Sequence, residues 1–529
     1  MQVNEYLETD VLIIGCGISG ATAALILAEH GIDTVMISKG DDPSATNTYY
    51  AQGGIASLAE DDSPELFIDD IIKSGGGITF RKAVEWVVRY SRPLVKEILI
   101  DKLNVPFSTA NGNYDLAQEG AHSRRRVFNV KDMTGKIIQE NFYKYLKKLK
   151  KLKILFNHTA IDLLTYPHHS TNFERMYEEP STVGAYVLNQ TSEKVLRIFA
   201  KKVILASGGL CSIYLHSTNP QDVVGNGIAM AYRAGARLAN LEYIQFHPTS
   251  LYHREADSFL ISEAVRGEGA KLMNRKGDYF MKKYSPLADL ASRDEVSRAI
   301  YEELIKYGDD YVLLDLASFA KINIRERFPT IYDTCMNYGI DIEKKPIPVV
   351  PAAHYSCGGV LSDLNGRTHL KNLYAIGEVS CTGVQGANRL ASVSLLEGLV
   401  WGVKSAEDII ETIGKEKDPY VISEIPAWKY PYPQEELDPA LVWQDLVTIR
   451  YIMWNYSGII RTVKRLKRAR SDLDYLRYRI IKFYQKTGLK DSIINLRDSV
   501  QTALLVVNAA LRNKVSRGGH FIKADSDLG

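Results

Sequence analysis

Apolar and polar residues follow one another along this chain in blocks that predict a mixed α/β fold. Between residues 10 and 38 an apolar run, DVLIIG, precedes a glycine turn, a helix-periodic stretch, ATAALILAEHG, and a second apolar run, TVMIS. This order predicts a β-α-β unit. Two further apolar runs, KKVILASGG (201–209) and NLYAIGE (372–378), end in glycine, which is typical of buried parallel strands whose carboxyl ends meet a ligand. One ligand-binding domain is therefore expected from distant segments.

The remaining pattern predicts three further regions. Mixed helices and polar turns between about 241 and 355 indicate an inserted α+β domain that closes over the ligand, so the first domain comprises 1–240 and 356–418. A linker is expected over 419–439, because five prolines remove backbone donors there: Pro419, Pro426, Pro431, Pro433 and Pro439. After the linker, apolar residues recur at spacings of three and four, which predicts a C-terminal helical bundle over 440–529.

The lysine-rich run KYLKKLKKLK, residues 144–153, carries leucines at every third position. We interpret it as a surface helix with a solvated lysine face, in preference to a binding site for an anionic partner.

Composition narrows the class of protein. The chain has 529 residues, enough for two to four domains, and its 65 Lys and Arg nearly balance 63 Asp and Glu. This balance gives no electrostatic reason to expect nucleic acid or a membrane as the main partner. Five scattered cysteines form no CxxC pair, and the acidic N-terminus MQVNEYLETD resembles no signal peptide. We therefore expect a cytoplasmic protein that binds a small molecule, without a metal.

The turn after the first predicted strand carries a GxGxxG motif, Gly15-Cys16-Gly17-Ile18-Ser19-Gly20. Glycines at this spacing let the backbone approach a pyrophosphate held at the helix N-terminus, so a dinucleotide is predicted. The motif alone does not choose between NAD and FAD. Ser38 and Lys39 stand where the acid that binds the NAD ribose is expected, which makes an ordinary NAD site less favourable.

Several other segments combine cations, amides and hydroxyls. The stretch NTYYAQGG (47–54) offers backbone contacts for a planar ring system, although read alone it is an ordinary glycine loop. Arginine forks grip carboxylates in bidentate fashion, and a histidine adds a donor whose protonation follows pH. A small dicarboxylate is therefore expected to bind at a set of residues spread over the chain: His247, Ser262, Glu263, Arg293, His354 and Arg389.

Long matching strings carry a family resemblance. HPTSLYH, RGEGA, VPAAHYSCGGV, YAIGEVS and GANRLAS resemble the succinate dehydrogenase and fumarate reductase flavoprotein family, and within it the members that oxidise L-aspartate. The resemblance extends from the first β-α-β unit to SRGGHF (516–521). It implies an α/β fold with a Rossmann-like FAD-binding domain assembled from separate segments, an inserted α+β capping domain and a C-terminal helical bundle.

The resemblance also implies the cofactor site. FAD is expected along Gly15, Cys16, Gly17, Ile18, Ser19, Gly20, Lys39, Asn47, Thr48, Tyr49, Tyr50, Ala51, Gln52, Gly53, Gly54, Asn226, Glu378, Ser394 and Leu395. Asn226 stands where relatives often carry aspartate. Asn47 stands where the respiratory members carry a histidine bonded covalently to the flavin, so we predict FAD that is bound non-covalently.

The catalytic residues follow from the same resemblance. Arg293 matches the arginine that stabilises charge and relays a proton, with Glu263 beside it. Carboxylate binding falls to His247, His354 and Arg389. Ser262 replaces a threonine, which keeps the hydroxyl and loses the methyl.

Glu119, in the stretch QEGAHS, is the candidate sensor of the substrate's amino group. The respiratory relatives usually have an uncharged stretch there, whereas those that oxidise L-aspartate have a glutamate. A carboxylate beside the substrate ammonium would gain about 1.5–3 kcal/mol from a charge-assisted bond. The alternative is that Glu119 merely pairs with Arg124, Arg125 or Arg126 on a loop surface.

The implied activity is FAD-dependent oxidation of L-aspartate to iminosuccinate, with dioxygen, giving hydrogen peroxide, or fumarate as acceptor. This is the first step of NAD (pyridine nucleotide) biosynthesis through quinolinate, and it implies transient contact with quinolinate synthase. Two alternatives stay open: a soluble fumarate reductase or succinate dehydrogenase type of flavoprotein, and a subunit that docks on a partner through the basic stretch RTVKRLKRAR (461–470).

Overall fold

A computed structural model describes residues 6–256, 259–319, 322–415, 419–432 and 434–524. Pro433, the first five residues and residues 525–529, which fall within the predicted segments, lie outside this description. The strands in the described residues are β1 (Tyr6–Ile14), β2 (Thr34–Ile37), β3 (Ile55–Ala56), β4 (Thr109–Ala110), β5 (Asn113–Tyr114), β6 (Val127–Phe128), β7 (Leu152–Leu155), β8 (His158–Tyr166), β9 (Ser181–Asn189), β10 (Lys194–Leu205), β11 (Leu238–Ala239), β12 (Ile244–Leu251), β13 (Lys271–Met273), β14 (Val312–Asp315), β15 (Ile347–Ser356), β16 (Gly359–Leu361), β17 (Leu373–Ala375) and β18 (Ser380–Cys381).

The helices in the same residues are α1 (Ile18–Glu29), α2 (Pro64–Ser74), α3 (Arg81–Leu94), α4 (Thr134–Leu146), α5 (Asn226–Arg233), α6 (Glu263–Gly267), α7 (Arg293–Tyr307), α8 (Ile324–Arg327), α9 (Pro329–Asn337), α10 (Val393–Ile413), α11 (Pro439–Ser457), α12 (Val463–Tyr484) and α13 (Asp491–Arg512). None of the helices in the described ranges is long and apolar enough to cross a membrane.

The main sheet has seven strands in the order β7-β2-β1-β10-β9-β8, with β17 also paired to β10. Strands β7, β2, β1, β10 and β17 run parallel, whereas β9 pairs antiparallel with β10, and β8 pairs antiparallel with β9. The predicted β-α-β unit and the two predicted parallel strands are thus confirmed. They bring the carboxyl ends of β1, β10 and β17 to one edge, where a dinucleotide is expected.

Helix α1 packs between the parallel strands and α10. Ten of its twelve residues are buried, among them Ile18, Leu25 and Leu27. A Cβ added at Gly402 of α10 would lie 2.8 Å from the Ser19 carbonyl oxygen, so the two helices approach at backbone distance. This close packing fixes the N-terminus of α1 at the sheet edge.

A second sheet, with the order β12-β15-β14-β13, is antiparallel and lies within the region that we predicted as an inserted α+β domain. Three long helices, α11, α12 and α13, follow the proline-rich segment, as expected for the C-terminal bundle. Pro439 is the first residue of α11, a position where a helix tolerates proline because its N–H would have no partner. The domain boundaries remain predictions.

The predicted surface helix over 144–153 is wrong. Helix α4 ends at Leu146, and β7 begins at Leu152. Leu152 and Ile154 pair with Thr34 and Met36 of β2 as the edge strand of the main sheet. The three-residue spacing of leucines therefore spans a helix end, a turn and a strand.

Candidate active site

One cavity of about 550 Å³ runs from the GxGxxG turn to the second sheet. Every predicted site residue lines it except Gly20 and Tyr49. Gly20 serves close packing, since a Cβ there would lie 2.1 Å from the Gly15 carbonyl oxygen. Tyr49 stacks edge-on against Tyr50, and Lys136 lies over its ring at 5.7 Å. The structure thus brings together residues that are separated by hundreds of positions in sequence.

The GxGxxG turn forms the floor of the cavity. Gly15 has a left-handed φ of 114°, and a Cβ there would lie 2.2 Å from the Ala206 carbonyl oxygen at the end of β10. Only glycine fits this approach without strain. The N–H of Ile18, at the start of α1, donates to Thr48 Oγ1 at 3.0 Å, which attaches the 47–54 loop to the helix.

The 47–54 loop is held at its two ends. Asn47 Nδ2 donates to Glu378 Oε2 at 2.9 Å, and Thr134 Oγ1 donates to the Gly53 carbonyl at 2.8 Å. Burial raises the pKa of Glu378, although hydrogen bonds from Ser356 and Asn47 oppose this shift. The amide of Asn47 is therefore engaged with a carboxyl group that lies in the wall of the cavity.

Four buried side-chain atoms in the cavity wall have no partner in the described part of the protein: Asn47 Oδ1, Gln52 Oε1, Ser207 Oγ and Asn219 Oδ1. Buried polar atoms are rarely left without hydrogen bonds in folded proteins. A ligand with donors and acceptors along its length would satisfy them. Together with the glycine turn, these atoms fit FAD, whose isoalloxazine, ribityl and pyrophosphate groups offer both.

Beside the end of β2, Lys39 belongs to a polar network that the sequence did not predict. Its Nζ donates to Asn226 Oδ1 at 3.2 Å and to Asn495 Oδ1 at 2.6 Å. Asn226 Nδ2 in turn donates to Asp498 Oδ2 at 2.9 Å. Asn495 and Asp498 belong to α13, so the C-terminal bundle supports this end of the cavity.

At the opposite end, two guanidinium groups converge on one amide. Arg293 Nη1 and Arg389 Nε each donate to Gln245 Oε1 at 3.3 Å. Arg389 also donates to Ser394 Oγ and lies over the Tyr355 ring, 4.5 Å from its centroid. No carboxylate forms an ion pair with Arg389 in the described ranges, so its charge is available to an anionic ligand.

The two predicted histidines face each other, with ring centroids 5.4 Å apart. His354 Nδ1 lies 2.7 Å from Thr218 Oγ1. Burial, reinforced by the neighbouring arginines, holds the pKa of His247 well below its usual value, and the pKa of His354 is lowered by burial and Arg389. Desolvation and the nearby cations thus favour the neutral form of both rings, because both effects disfavour imidazolium.

Glu263 lies between two arginines. Arg293 Nε donates to its Oε2 at 2.6 Å, and Arg266 Nη2 lies 3.6 Å from its Oε1. Burial acts to raise the pKa of Glu263, but Arg293 and Arg266 outweigh that effect and lower it. The carboxylate is thus held in its charged form. Neighbouring Ser262 lines the cavity and caps α6, where its Oγ accepts from the Ala264 N–H at 3.3 Å.

Glu119 reaches the cavity from its own loop. Its Oε2 accepts a hydrogen bond from Ser392 Oγ at 2.6 Å, and a Cβ at Gly53 would lie 2.4 Å from its Oε1. The alternative of an ion pair does not occur within the described residues. Arg126 pairs instead with Asp62 and Asp70, and Arg125 pairs with Asp115.

Several site residues escaped the sequence analysis: Gln245, Thr218, Arg266 and Ser392. Gln245 precedes His247 by two positions on β12, so strand alternation places both on one face and could have revealed it. Ser392 could not have been found this way, because its left-handed φ of 59° and its bond to Glu119 appear only in the fold.

Comparison with known proteins agrees with this geometry. A family model described as an FAD binding domain matches residues 10–395. The chain is 39% identical to the L-aspartate oxidase of Pseudomonas aeruginosa, over 99% of this chain and 97% of that protein. It is 41% identical to the L-aspartate oxidase of Yersinia pestis, over 98% of this chain and 97% of that protein.

Among solved structures, a point variant of the E. coli quinol fumarate reductase FrdA superposes with a TM-score of 0.87 at 26% identity. The match covers 98% of this chain and 92% of that one. The predicted fold class, the FAD cofactor and the predicted family are all confirmed. The chain therefore belongs to the L-aspartate oxidase family, among the flavoproteins that also include fumarate reductase.

Proposed function

We propose that this chain oxidises L-aspartate to iminosuccinate, the first step of NAD biosynthesis through quinolinate. The observation that carries the proposal is the Glu119 carboxylate, which lines the same cavity as Arg293 and Arg389 and has no cation partner in the described residues. A diacid would neutralise the arginine end, and its 2-ammonium group would neutralise Glu119. When bound, FAD takes up the hydrogen and two electrons that leave Cα.

The remaining roles follow from charge and position. Arg389 binds a substrate carboxylate with help from neutral ring N–H donors of His247 and His354, and Ser262 adds a hydroxyl. Arg293 holds the other carboxylate and moves a proton, with Glu263 as its carboxylate partner. FAD would be held by the glycine turn, the 47–54 loop, Lys39, Asn226, Glu378, Ser394 and Leu395.

The electrons leave to dioxygen, which becomes hydrogen peroxide, or to fumarate, which becomes succinate. Iminosuccinate carries a hydrolysable C=N bond, so prompt transfer to quinolinate synthase through a transient contact would protect it.

We expect Glu119→Gln to lower kcat/KM for L-aspartate by about 10- to 100-fold while fumarate reduction stays within about threefold of the parent. The substitution keeps the shape and the bond from Ser392 but removes the charge that attracts ammonium, which is worth about 1.5–3 kcal/mol. Steady-state rates of L-aspartate oxidation and of fumarate reduction by a reduced dye provide the measurement.

Asp115→Asn is the matched control for this variant. Asp115 is an exposed acid on the same segment, pairs with Arg125 and does not line the cavity. The Asp115→Asn substitution removes one negative charge outside the site, so the rates of L-aspartate oxidation and of fumarate reduction should stay at the parent level. An equal loss of L-aspartate oxidation and fumarate reduction in Glu119→Gln would show that Glu119 does not recognise the substrate's amino group.

The runner-up is a soluble fumarate reductase, favoured by the converging arginines and the structural similarity to FrdA. Anaerobic mixing separates the two functions. L-Aspartate should bleach the flavin absorbance rapidly, whereas D-aspartate and succinate should bleach it slowly or not at all. Bleaching by succinate alone would favour the runner-up.

We expect FAD to separate from the polypeptide on denaturation. Asn47 occupies the position of the covalent attachment, and an amide that donates to Glu378 at 2.9 Å is no nucleophile toward the flavin. Acid precipitation should leave the yellow colour in the supernatant and a colourless pellet. Flavin that stays with the precipitated chain would contradict non-covalent binding.

A further inference from the structure

Behind Glu119, a row of polar contacts leads from the cavity lining to residues that do not line the cavity. Glu119 Oε2 is held by Ser392 Oγ, and the residue before it, Ala391, accepts a hydrogen bond at its carbonyl from His122 Nε2 at 2.9 Å. His122 is three residues after Glu119 in the chain. His122 therefore joins the loop that carries Glu119 to the residue directly before Ser392, the left-handed residue whose hydroxyl holds the Glu119 carboxylate.

A buried arginine fixes the tautomer of His122. Arg126 Nη1 lies 3.3 Å from His122 Nδ1. A guanidinium only donates, so Nδ1 must accept and the ring proton must sit on Nε2, where it is given to the Ala391 carbonyl. Burial lowers the pKa of His122, which also favours the neutral ring. This geometry leaves one orientation for the imidazole, which is 5% exposed.

Arg126 is itself immobilised. Its side chain is fully buried, donates through Nε to Asp62 Oδ2 at 2.7 Å and through Nη1 to Asp70, and lies over the Phe67 ring at 4.6 Å. Ser123 Oγ also donates to Asp70 Oδ2, at 2.8 Å. Residues 122–126 are thus anchored to the start and middle of α2, and Glu119 extends from this anchored segment into the cavity.

We propose that His122 is a positioning residue for the selection of an amino-acid substrate: by tying its own loop to Ala391, it fixes the place at which Glu119 meets the substrate ammonium. The inference rests on the proposed function, in which Glu119 binds that ammonium. The hydrogen bonds of the His122 ring go to Ala391 and Arg126, whereas the carboxylate-binding arginines and histidines belong to other elements. Its loss should weaken recognition of the amino group and leave recognition of a plain diacid intact.

The test compares His122→Leu with His122→Gln. Leucine fills much of the ring volume without a donor, whereas the amide of glutamine can place an N–H near the former Nε2 and donate to the Ala391 carbonyl. For His122→Leu we expect KM for L-aspartate to rise about tenfold or more, with kcat for fumarate reduction, KM for fumarate and the FAD dissociation constant unchanged. For His122→Gln we expect KM for L-aspartate within about threefold of the parent.

His169→Leu is the control for loss of a packed imidazole. His169 bonds to Thr165 and packs on Tyr186 at the antiparallel side of the main sheet, and it does not line the cavity. The His169→Leu substitution should leave KM for L-aspartate and KM for fumarate unchanged. If the leucine variant of His122 does not fold, His122→Asn replaces it, because the shorter amide does not reach the Ala391 carbonyl.

A double-variant cycle decides between positioning and general support. In the Glu119→Gln background, His122→Leu should produce no further loss with L-aspartate, because the charge that it positions is gone. A full additional loss there, or an equal loss with L-aspartate and fumarate, would overturn the inference. If Glu119→Gln is selective but His122→Leu has no effect, only this inference fails. If Glu119→Gln itself is not selective, the proposed role of Glu119 fails with it.

Discussion

Arg293→Gln is expected to slow fumarate reduction by about 10²–10⁴-fold, the range for loss of a positioned proton donor, and to slow L-aspartate oxidation at least tenfold less. Fumarate reduction must place a proton on carbon. In L-aspartate oxidation the proton leaves nitrogen, where solvent and Glu119 can accept it. Arg293 Nε and Nη1 bond to Glu263 and Gln245, which leaves Nη2 without a protein partner in the described residues.

The measurement pairs fumarate-dependent oxidation of a reduced dye with anaerobic flavin bleaching by L-aspartate. Arg298→Gln provides the control, since Arg298 lies on the same helix, pairs with Asp294 and does not line the cavity. A larger loss in L-aspartate oxidation than in fumarate reduction would show that Arg293 acts chiefly on the amino-acid substrate. Arg293→Gln and Glu119→Gln thus have opposite expected selectivities within one cavity.

Local sequence patterns predicted those parts of the fold whose signals are local. The GxGxxG turn between two apolar runs correctly predicted β1, α1 and β2, because the pattern that identifies each of these elements lies within its own residues. The helix expected over 144–153 was wrong for the same reason. Its leucine spacing suits a helix, but pairing of Leu152 and Ile154 with β2 decides the outcome, and that pairing is a tertiary interaction.

The site residues also divide into those that the sequence predicts and those that only the fold reveals. Arg293, Arg389, His247 and His354 could be chosen from their chemistry and the family resemblance. Gln245 could not be chosen in this way, because its role depends on the fold, which brings the guanidinium groups of Arg293 and Arg389 to its amide oxygen. Local charge was misleading at Arg126. It seemed a partner for Glu119 seven positions away, yet it is buried with Asp62 and Asp70, whose closeness depends on the packing of α2.

Arg389 illustrates how a binding site can hold charge at the expense of stability. It is 9% exposed and has no carboxylate counter-ion in the described residues, and burial together with Arg293 lowers its pKa. A buried cation without a partner is unfavourable, so the unliganded protein gains little from keeping it. A dicarboxylate supplies the missing charge.

We therefore expect Arg389→Leu to lower kcat/KM by about 10²–10³-fold for both L-aspartate and fumarate, as for loss of one member of a buried ion pair. The free energy of unfolding should change by less than about 1 kcal/mol, because relief of the buried charge offsets the lost bonds to Gln245 and Ser394. Kinetics and denaturant unfolding at equal FAD saturation test both parts.

Arg461→Leu is the contrasting control. Arg461 is also fully buried, but it donates to the carbonyls of Ser457, Gly458 and Glu242 and to His520. Its removal leaves those acceptors unsatisfied, so we expect a loss of about 3 kcal/mol or more in stability with kcat/KM little changed at temperatures where the protein stays folded. If Arg389→Leu destabilised the protein as strongly as Arg461→Leu, Arg389 would be a structural arginine, and the carboxylate site would have to be placed on Arg293 and the two histidines alone.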